Sequence, residues 1–176
     1  GTLDTFTLDV TWGDSDDVEQ HTFEAATTSF ELTHQYLDDN PTATAGSTYP
    51  IGVTVTDDDT GRSSDTSTVT VANVVPILGD LSATAIGENG TTTLTGTITD
   101  PGTLDTFTLD VTWGDSDDVE QHMFVAGTTS FELTHQYLDD NPTATSGDDY
   151  TIGLTIADDD TGTTSDTTTV TVANVA

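Results

Sequence analysis

The chain has 176 residues, no cysteine and a formal net charge of −31, from 32 acidic residues against one base. Such a surface repels phosphate backbones and anionic lipid headgroups, which excludes nucleic-acid binding and polybasic membrane docking. No apolar run is long enough for membrane insertion, and the lack of cysteine excludes disulfides, thiol catalysis and cysteine-based zinc sites.

The chain contains an internal repeat. The segment Gly1–Asn73 recurs as Gly102–Asn174 at a constant offset of 101 residues, with 13 differences among 73 positions. Residues 74–176 form a complete copy, whereas residues 1–73 form a partial copy that lacks the counterpart of residues 74–101. We expect the missing first two strands to come from a longer array of which this chain is a window. Donor-strand pairing with a neighbouring chain is the alternative.

Seven strands are predicted in the complete copy, because apolar and polar residues alternate there. In chain order they lie near residues 81–85, 94–98, 107–113, 119–124, 131–137, 150–156 and 170–172. The clearest places Phe107, Leu109, Val111 and Trp113 on one face. Turn signals separate the strands, and no segment has helical periodicity. The sequence therefore predicts an all-β fold of tandem antiparallel two-sheet sandwiches, each of about 100 residues.

The tryptophans and histidines are predicted to be structural. Trp113 shares the face of Phe107, which favours a core position over a recognition surface, and Trp12 occupies the same place in the first copy. The histidines lack the spacing of a zinc site, so we expect His135 to make a structural hydrogen bond.

Three ordered motifs occur in both copies. In the second copy they are Val111–Ser116, Phe131–Tyr137 and Tyr150–Gly162, closing on Val172–Val175. Together they resemble the PKD (polycystic kidney disease) domain family. The resemblance implies an Ig-like β-sandwich of an extracellular or cell-surface protein, from a family used as tandem spacers or adhesive modules and sometimes found beside secreted hydrolases. The stretch Asp100–Asp105 has fewer carboxylates than the family pattern, which weakens a metal site carried over by resemblance.

Acidic loops are the candidate site. In a sandwich of this topology the loops Asp100–Asp105 and Asp158–Gly162 should fall at one end, beside Asn73, and Asp158 and Asp160 should point the same way if that segment is extended. Calcium takes six to eight oxygen ligands, so we expect a calcium site here. The candidate ligands from both copies are Asp100, Asp105, Asp158, Asp160, Asn73, Asp57, Asp59 and Asp4. Turn formation and adaptation to high salt are alternative reasons for these aspartates.

The opposite end of the first copy carries a junction acidic cluster of Asp14, Asp16, Asp17, Asp38 and Asp39. Copies stacked end to end would bring this cluster to the calcium loops.

Asn89 begins a formal glycosylation sequon on a predicted turn, for which an ordinary Asn-Gly turn is the alternative.

The functional expectation is a non-enzyme, because the carboxylates are predicted on solvated loops rather than in a shielded cleft. We expect a structural or adhesive tandem repeat of a secreted or cell-surface protein. Neighbouring copies would be its partners, along the chain and laterally as a homopolymer, in an extended array or filament with calcium-stiffened junctions. The alternative is a substrate-binding or spacer module of a secreted hydrolase, which predicts an exposed aromatic strip on one sheet.

Overall fold

A computed structural model describes residues 3–39, 43–140 and 144–175. The chain divides into two compact units, unit 1 (Gly1–Ala72) and unit 2 (Asn73–Ala176). Both are built from β-strands, and the described ranges contain no helix long and apolar enough to cross a membrane.

Unit 1 contains one antiparallel four-stranded sheet in the order β2-β1-β3-β4. Its strands are β1 (Phe6–Thr11), β2 (Glu19–Phe23), β3 (Gly46–Asp57) and β4 (Arg62–Ala72). Alternate residues of β1 face the same side, so Leu8 and Val10 are buried together on the inner face of the sheet.

Unit 2 contains two sheets. The strands are β5 (Ile77–Ala83), β6 (Ile86–Gly87), β7 (Thr91–Thr99), β8 (Phe107–Thr112), β9 (Glu120–Phe124), β10 (Ser130–Gln136), β11 (Gly147–Asp158) and β12 (Thr163–Ala173). One sheet has the order β10-β7-β5 and the other β6-β12-β11-β8-β9. This is the arrangement of an Ig-like β-sandwich, and the predicted fold class is confirmed.

The core of unit 2 lies between its two sheets. The β8 face predicted from alternation is the buried one, since Phe107, Leu109 and Val111 are all in the core. Leu94 and Ile98 of β7 meet them from the opposite sheet. Each such side chain stabilises the fold by about 1.5–3 kcal/mol when it leaves water, so these facing rows are the main source of stability.

The structure adds one strand to the predicted seven. Residues 86–87 form β6, which pairs in parallel with the end of β12, while β5 belongs to the other sheet. The chain therefore changes sheets between Ala83 and Ile86. Two residues are too few to show alternation, which is why the sequence pattern does not reveal β6.

The same aromatic contacts occur in both units. In unit 2 the Trp113 and His135 rings stack at 4.6 Å, His135 pairs with Asp115 at 2.9 Å, and the Tyr137 hydroxyl donates to the Trp113 carbonyl at 2.7 Å. In unit 1 the Trp12 and His34 rings stack at 4.8 Å. The predictions of a core tryptophan and a structural histidine are confirmed in unit 2, where Trp113 is buried.

Truncation of a core leucine tests this assignment. We expect Leu94→Ala to lower the free energy of unfolding of unit 2 by about 2–5 kcal/mol, because it removes buried methyl groups and leaves a cavity. Leu104 is exposed, so the matched change Leu104→Ala should stay within about 0.5 kcal/mol. Denaturant unfolding followed by Trp113 fluorescence in a Trp12→Phe background measures both. Equal effects of the two changes would contradict the assignment.

Candidate metal centre

The acidic loops of unit 2 meet at one end of the sandwich, where the β7–β8 connection lies beside the β11–β12 turn. Carboxylate oxygens of Asp100, Asp105 and Asp158 lie within 4.8 Å of one another. A second group within the same distance joins Asp105 to Asp159 and Asp160. We call the set Asn73, Asp100, Asp105, Asp158, Asp159 and Asp160 the acidic pole.

Three carboxylates of the acidic pole are buried. Asp105 and Asp158 are almost inaccessible, and Asp160 is 0% exposed. Residues 73–176 include no lysine or arginine, because the single base of the chain is Arg62. A buried carboxylate is costly unless hydrogen bonds or a cation offset its charge. No lysine or arginine of unit 2 can therefore balance the negative charge at this pole.

Backbone amides bind several of these oxygens. Asp158 Oδ1 accepts from the amides of Asp160 at 3.0 Å and Gly162 at 2.6 Å. Asp159 Oδ1 accepts from the Thr106 amide at 2.8 Å, which ties the two loops together. These hydrogen bonds hold the carboxylates of Asp158 and Asp159 in place.

Two glycines leave room for carboxylates of the acidic pole within their own loops. A Cβ at Gly102 would lie 2.3 Å from Asp105 Oδ2, and one at Gly162 would lie 2.3 Å from Asp158 Oδ2. Both distances are far inside van der Waals contact, so a side chain at either position would displace a carboxylate of the acidic pole.

Asn73 lies at the acidic pole, beside Asp158 and Asp160 of the loop next to which the sequence predicts it. Its side-chain nitrogen donates to Asp158 Oδ2 at 2.9 Å and to the Asp160 carbonyl at 3.2 Å. Because Asn73 is the first residue of unit 2, the chain entering the sandwich is held to the β11–β12 turn.

Asp158 and Asp160 are expected to point the same way only if their segment is extended, and that condition is not met. The segment is not extended there, since Thr161 has φ 76° and the chain reverses into β12. Asp158 consequently joins the group with Asp100, and Asp160 joins the group with Asp159. Asp159, which the sequence did not single out, is the residue that completes the second group.

The counterparts in unit 1 form a smaller group. Asp4, Asp58 and Asp59 have carboxylate oxygens within 4.8 Å of one another, and all three are more exposed than Asp105 and Asp160. Asp57 lies outside this group and accepts from the Gly61 amide at 2.5 Å.

Residues of the junction acidic cluster make several contacts within unit 1. Asp14 pairs with His34 at 2.7 Å, and Asp17 accepts from the Ser15 hydroxyl at 3.3 Å. Asp16 is exposed. Asp39 is buried, and its amide donates to Asp38 Oδ1 at 2.7 Å.

Unit 2 contains a further acidic group that the sequence pattern does not predict. Glu88, Asp139 and Asp140 have oxygens within 4.8 Å of one another, and Glu88 accepts from the Val175 amide at 2.9 Å. Asp140 is only 5% exposed, and burial raises the pKa of its carboxyl. Glu88 is some fifty positions from Asp140 and follows the unpredicted β6, so no local pattern links them. The neighbouring Asn89 is exposed at φ 61°, and its sequon stays a prediction.

Comparisons with known proteins give only a distant likeness. No family model matches the sequence, and no curated protein matches it. Among solved structures, the crystal structure of chicken CNTN1 FN1-FN3 domains is similar at 8% identity and a TM-score of 0.41. The match covers 98% of this chain and spans 56% of that chain. The assignment of an Ig-like fold accordingly rests on the strand order and pairing described above.

The raised pKa of Asp140 predicts a pH dependence. The folded state holds this proton more tightly than the unfolded state, so its contribution to stability is present at low pH and is lost as the pH rises through the folded pKa. We expect Asp140→Asn to raise the Tm at pH 7 in chelator, and the difference from the parent protein to shrink as the pH falls through the folded pKa.

Asp139→Asn is the matched control, because Asp139 belongs to the same group but is exposed. Thermal melts over this pH range give the comparison. A lower Tm for Asp140→Asn at pH 7, or the same pH response in both variants, would contradict the prediction.

Proposed function

We propose that the chain is a structural or adhesive tandem repeat of the PKD type, from a secreted or cell-surface protein, and that it is not an enzyme. The repeated aromatic network carries this proposal. Trp12 with His34 and Trp113 with His135 stack with interplanar angles of 8° and 9°. Near-identical modules multiply length rather than chemistry, which suits a spacer.

The surface of unit 2 favours the spacer over the hydrolase-associated binding module. The latter would present aromatic rings to substrate. Among the described residues of unit 2, the large exposed apolar side chains are all aliphatic or methionine, namely Val74, Val75, Ile77, Leu104, Val119, Met123, Val125, Leu138 and Val175. The aromatic rings of the unit are buried or half-buried instead.

Calcium is the cation we propose for the acidic pole. Support comes from the buried, converging carboxylates of Asp105, Asp158 and Asp160 and from the lack of any base in unit 2. A hard divalent cation with oxygen ligands suits this chemistry, and extracellular modules hold calcium with a Kd of about 10⁻⁴ to 10⁻³ M. Bound there, it would lock the entry to β8 against the β11–β12 turn and stiffen that end of the module.

Calcium should therefore stabilise unit 2. At about 10 mM calcium, the Kd range above adds roughly 1.4–2.7 kcal/mol to the free energy of unfolding, or about 5–20 °C in Tm for a domain of this size. Thermal melts with calcium and with EDTA, at matched ionic strength, measure the shift.

Asp105→Asn should abolish most of that shift, because Asp105 belongs to both carboxylate groups of the acidic pole. The matched control is Asp117→Asn, an exposed turn aspartate that belongs to no converging group among the described residues. An unchanged Tm in calcium, with stabilisation by NaCl alone, would leave salt adaptation as the explanation of the charge.

Lateral association of copies is the second part of the proposal, and β9 supports it. This strand lies at the edge of its sheet, where backbone groups are open to pairing, and it carries the exposed Met123 with Val125 just beyond it. Unit 1 has Thr22 and Glu24 at these positions. Apolar residues on an open edge strand favour edge-to-edge contact, and a glutamate opposes it.

Replacing these residues by their unit 1 counterparts tests lateral contact. We expect Met123→Thr with Val125→Glu to lower self-association at high protein concentration at least severalfold, as measured by sedimentation velocity in calcium. The reverse pair in unit 1, Thr22→Met with Glu24→Val, should increase association. Identical sedimentation of all three proteins would overturn the lateral part and leave the spacer proposal intact.

A further inference from the structure

The inner face of unit 1 is an open counterpart of the covered face in unit 2. In unit 2 the five-stranded sheet packs against β5, β7 and β10, and Ile152, Leu154 and Ile156 are all buried. Their counterparts in unit 1 are Ile51, Val53 and Val55, which are only half-buried. The residue types are nearly the same, so the covering layer accounts for the difference.

The aromatic residues of this face show the contrast most clearly. Phe131 is 6% exposed, whereas its counterpart Phe30 is 52% exposed. Phe6, Leu8, Phe23, Phe30 and Val55 line a groove of about 220 Å³ on the inner face. Leu8 is buried at the base of this groove, whereas Phe6, Phe23 and Val55 are half-buried and Phe30 is exposed. Exposed apolar surface that lines a groove marks an interaction site.

The backbone of unit 1 also lacks a partner strand. In unit 2 residues 130–136 form β10, which pairs with β7 at seven consecutive positions. The counterpart residues 29–35 are described and form no strand. An occupant of the groove therefore has to supply both apolar side chains and a strand edge that residues 29–35 can join.

Gly96 defines the shape of that occupant. A Cβ at Gly96 would lie 2.5 Å from the tip of the Phe131 ring, so β7 accepts this ring only because it has no side chain there. Leu94 and Ile98 flank the glycine and enter the core. Phe30 would need the same pattern, a strand with a glycine between two aliphatic residues.

We propose that the inner face of unit 1 binds a further copy of the segment Asn73–Pro101, joined ahead of Gly1 as Asn73–Pro101 is joined ahead of Gly102 in unit 2. We call this the completing segment. It supplies the counterparts of β5 and β7 in register with the repeat. With three acidic residues among 29, the segment is weakly charged, so its approach to the acidic unit meets modest repulsion.

The completing segment would also bring counterparts of Asn73 and Asp100 to Asp4 and Asp57, which match Asp105 and Asp158 of unit 2. In unit 2 Asn73 and Asp100 belong to the acidic pole, where Asn73 holds Asp158. This part rests on the proposed calcium function. The strand part stands on burial and pairing alone and is tested without calcium.

The experiment extends the full chain with a copy of residues 73–101 directly before Gly1. In EDTA, amide exchange of residues 29–35 should slow by about tenfold or more, because these amides enter a paired strand. In a Trp113→Phe background, acrylamide quenching of Trp12 should fall to the value that Trp113 shows in a Trp12→Phe background. In calcium, titration calorimetry should show the number of bound ions rise from one to two.

The control carries the same extension with Leu94→Asp and Ile98→Asp in the added copy. It should leave exchange and quenching at the values of the original chain. Unchanged exchange with the intact extension would overturn the proposal. So would an original chain that sediments as a dimer with residues 29–35 already protected, because a second copy would then be the occupant. Slowed exchange without a second calcium ion would retain the strand proposal and reject its calcium part.

Discussion

A sheet whose residues alternate between apolar and polar must cover its apolar face, and every other feature of this molecule depends on how that is done. Each aliphatic or aromatic side chain buried there is worth about 1.5–3 kcal/mol, whereas a small domain has only about 5–15 kcal/mol of net stability. In unit 2 the three-stranded sheet β10-β7-β5 provides the cover. The loop between β7 and β8 joins the two sheets and has to cross the end of the core, which brings its aspartates to those of the β11–β12 turn.

The acidic pole is thus a consequence of the sandwich as much as of composition. Strand β7 belongs to one sheet and β8 to the other, so their connection passes over the core end where the β11–β12 turn also lies. Gly102 and Gly162 leave room for the carboxylates of Asp105 and Asp158 within their own loops. Like charges this close repel strongly unless amides or a cation lie between them. The strand order therefore concentrates negative charge at the acidic pole, where hydrogen-bond donors or a cation have to offset it.

Much of this arrangement follows from the sequence, and the exceptions have physical reasons. The parity of Phe107 and Trp113 identifies the buried face, because strand side chains alternate strictly. The strand order predicts that the carboxylates of Asp105 and Asp158 lie close together, because it places their loops at one end of the sandwich. The grouping of Asp160 does not follow from the strand order, since it depends on the conformation of the four-residue turn between β11 and β12. Nor can sequence reveal the Glu88 group, which depends on a two-residue strand and on contacts between distant segments.

The two copies separate what a sequence specifies locally from what its surroundings add. The Trp-His-Tyr contacts are the same in both units, so a single sheet with its adjoining loops suffices to build them. Burial of Phe30 and strand formation by residues 29–35 differ from unit 2 although Ser29–Gln35 and Ser130–Gln136 are identical. Because the two segments are identical in sequence, intrinsic strand propensity cannot explain why only one of them forms a strand. The strand pair β5 and β7, present in one unit only, is what turns this segment into an edge of the second sheet.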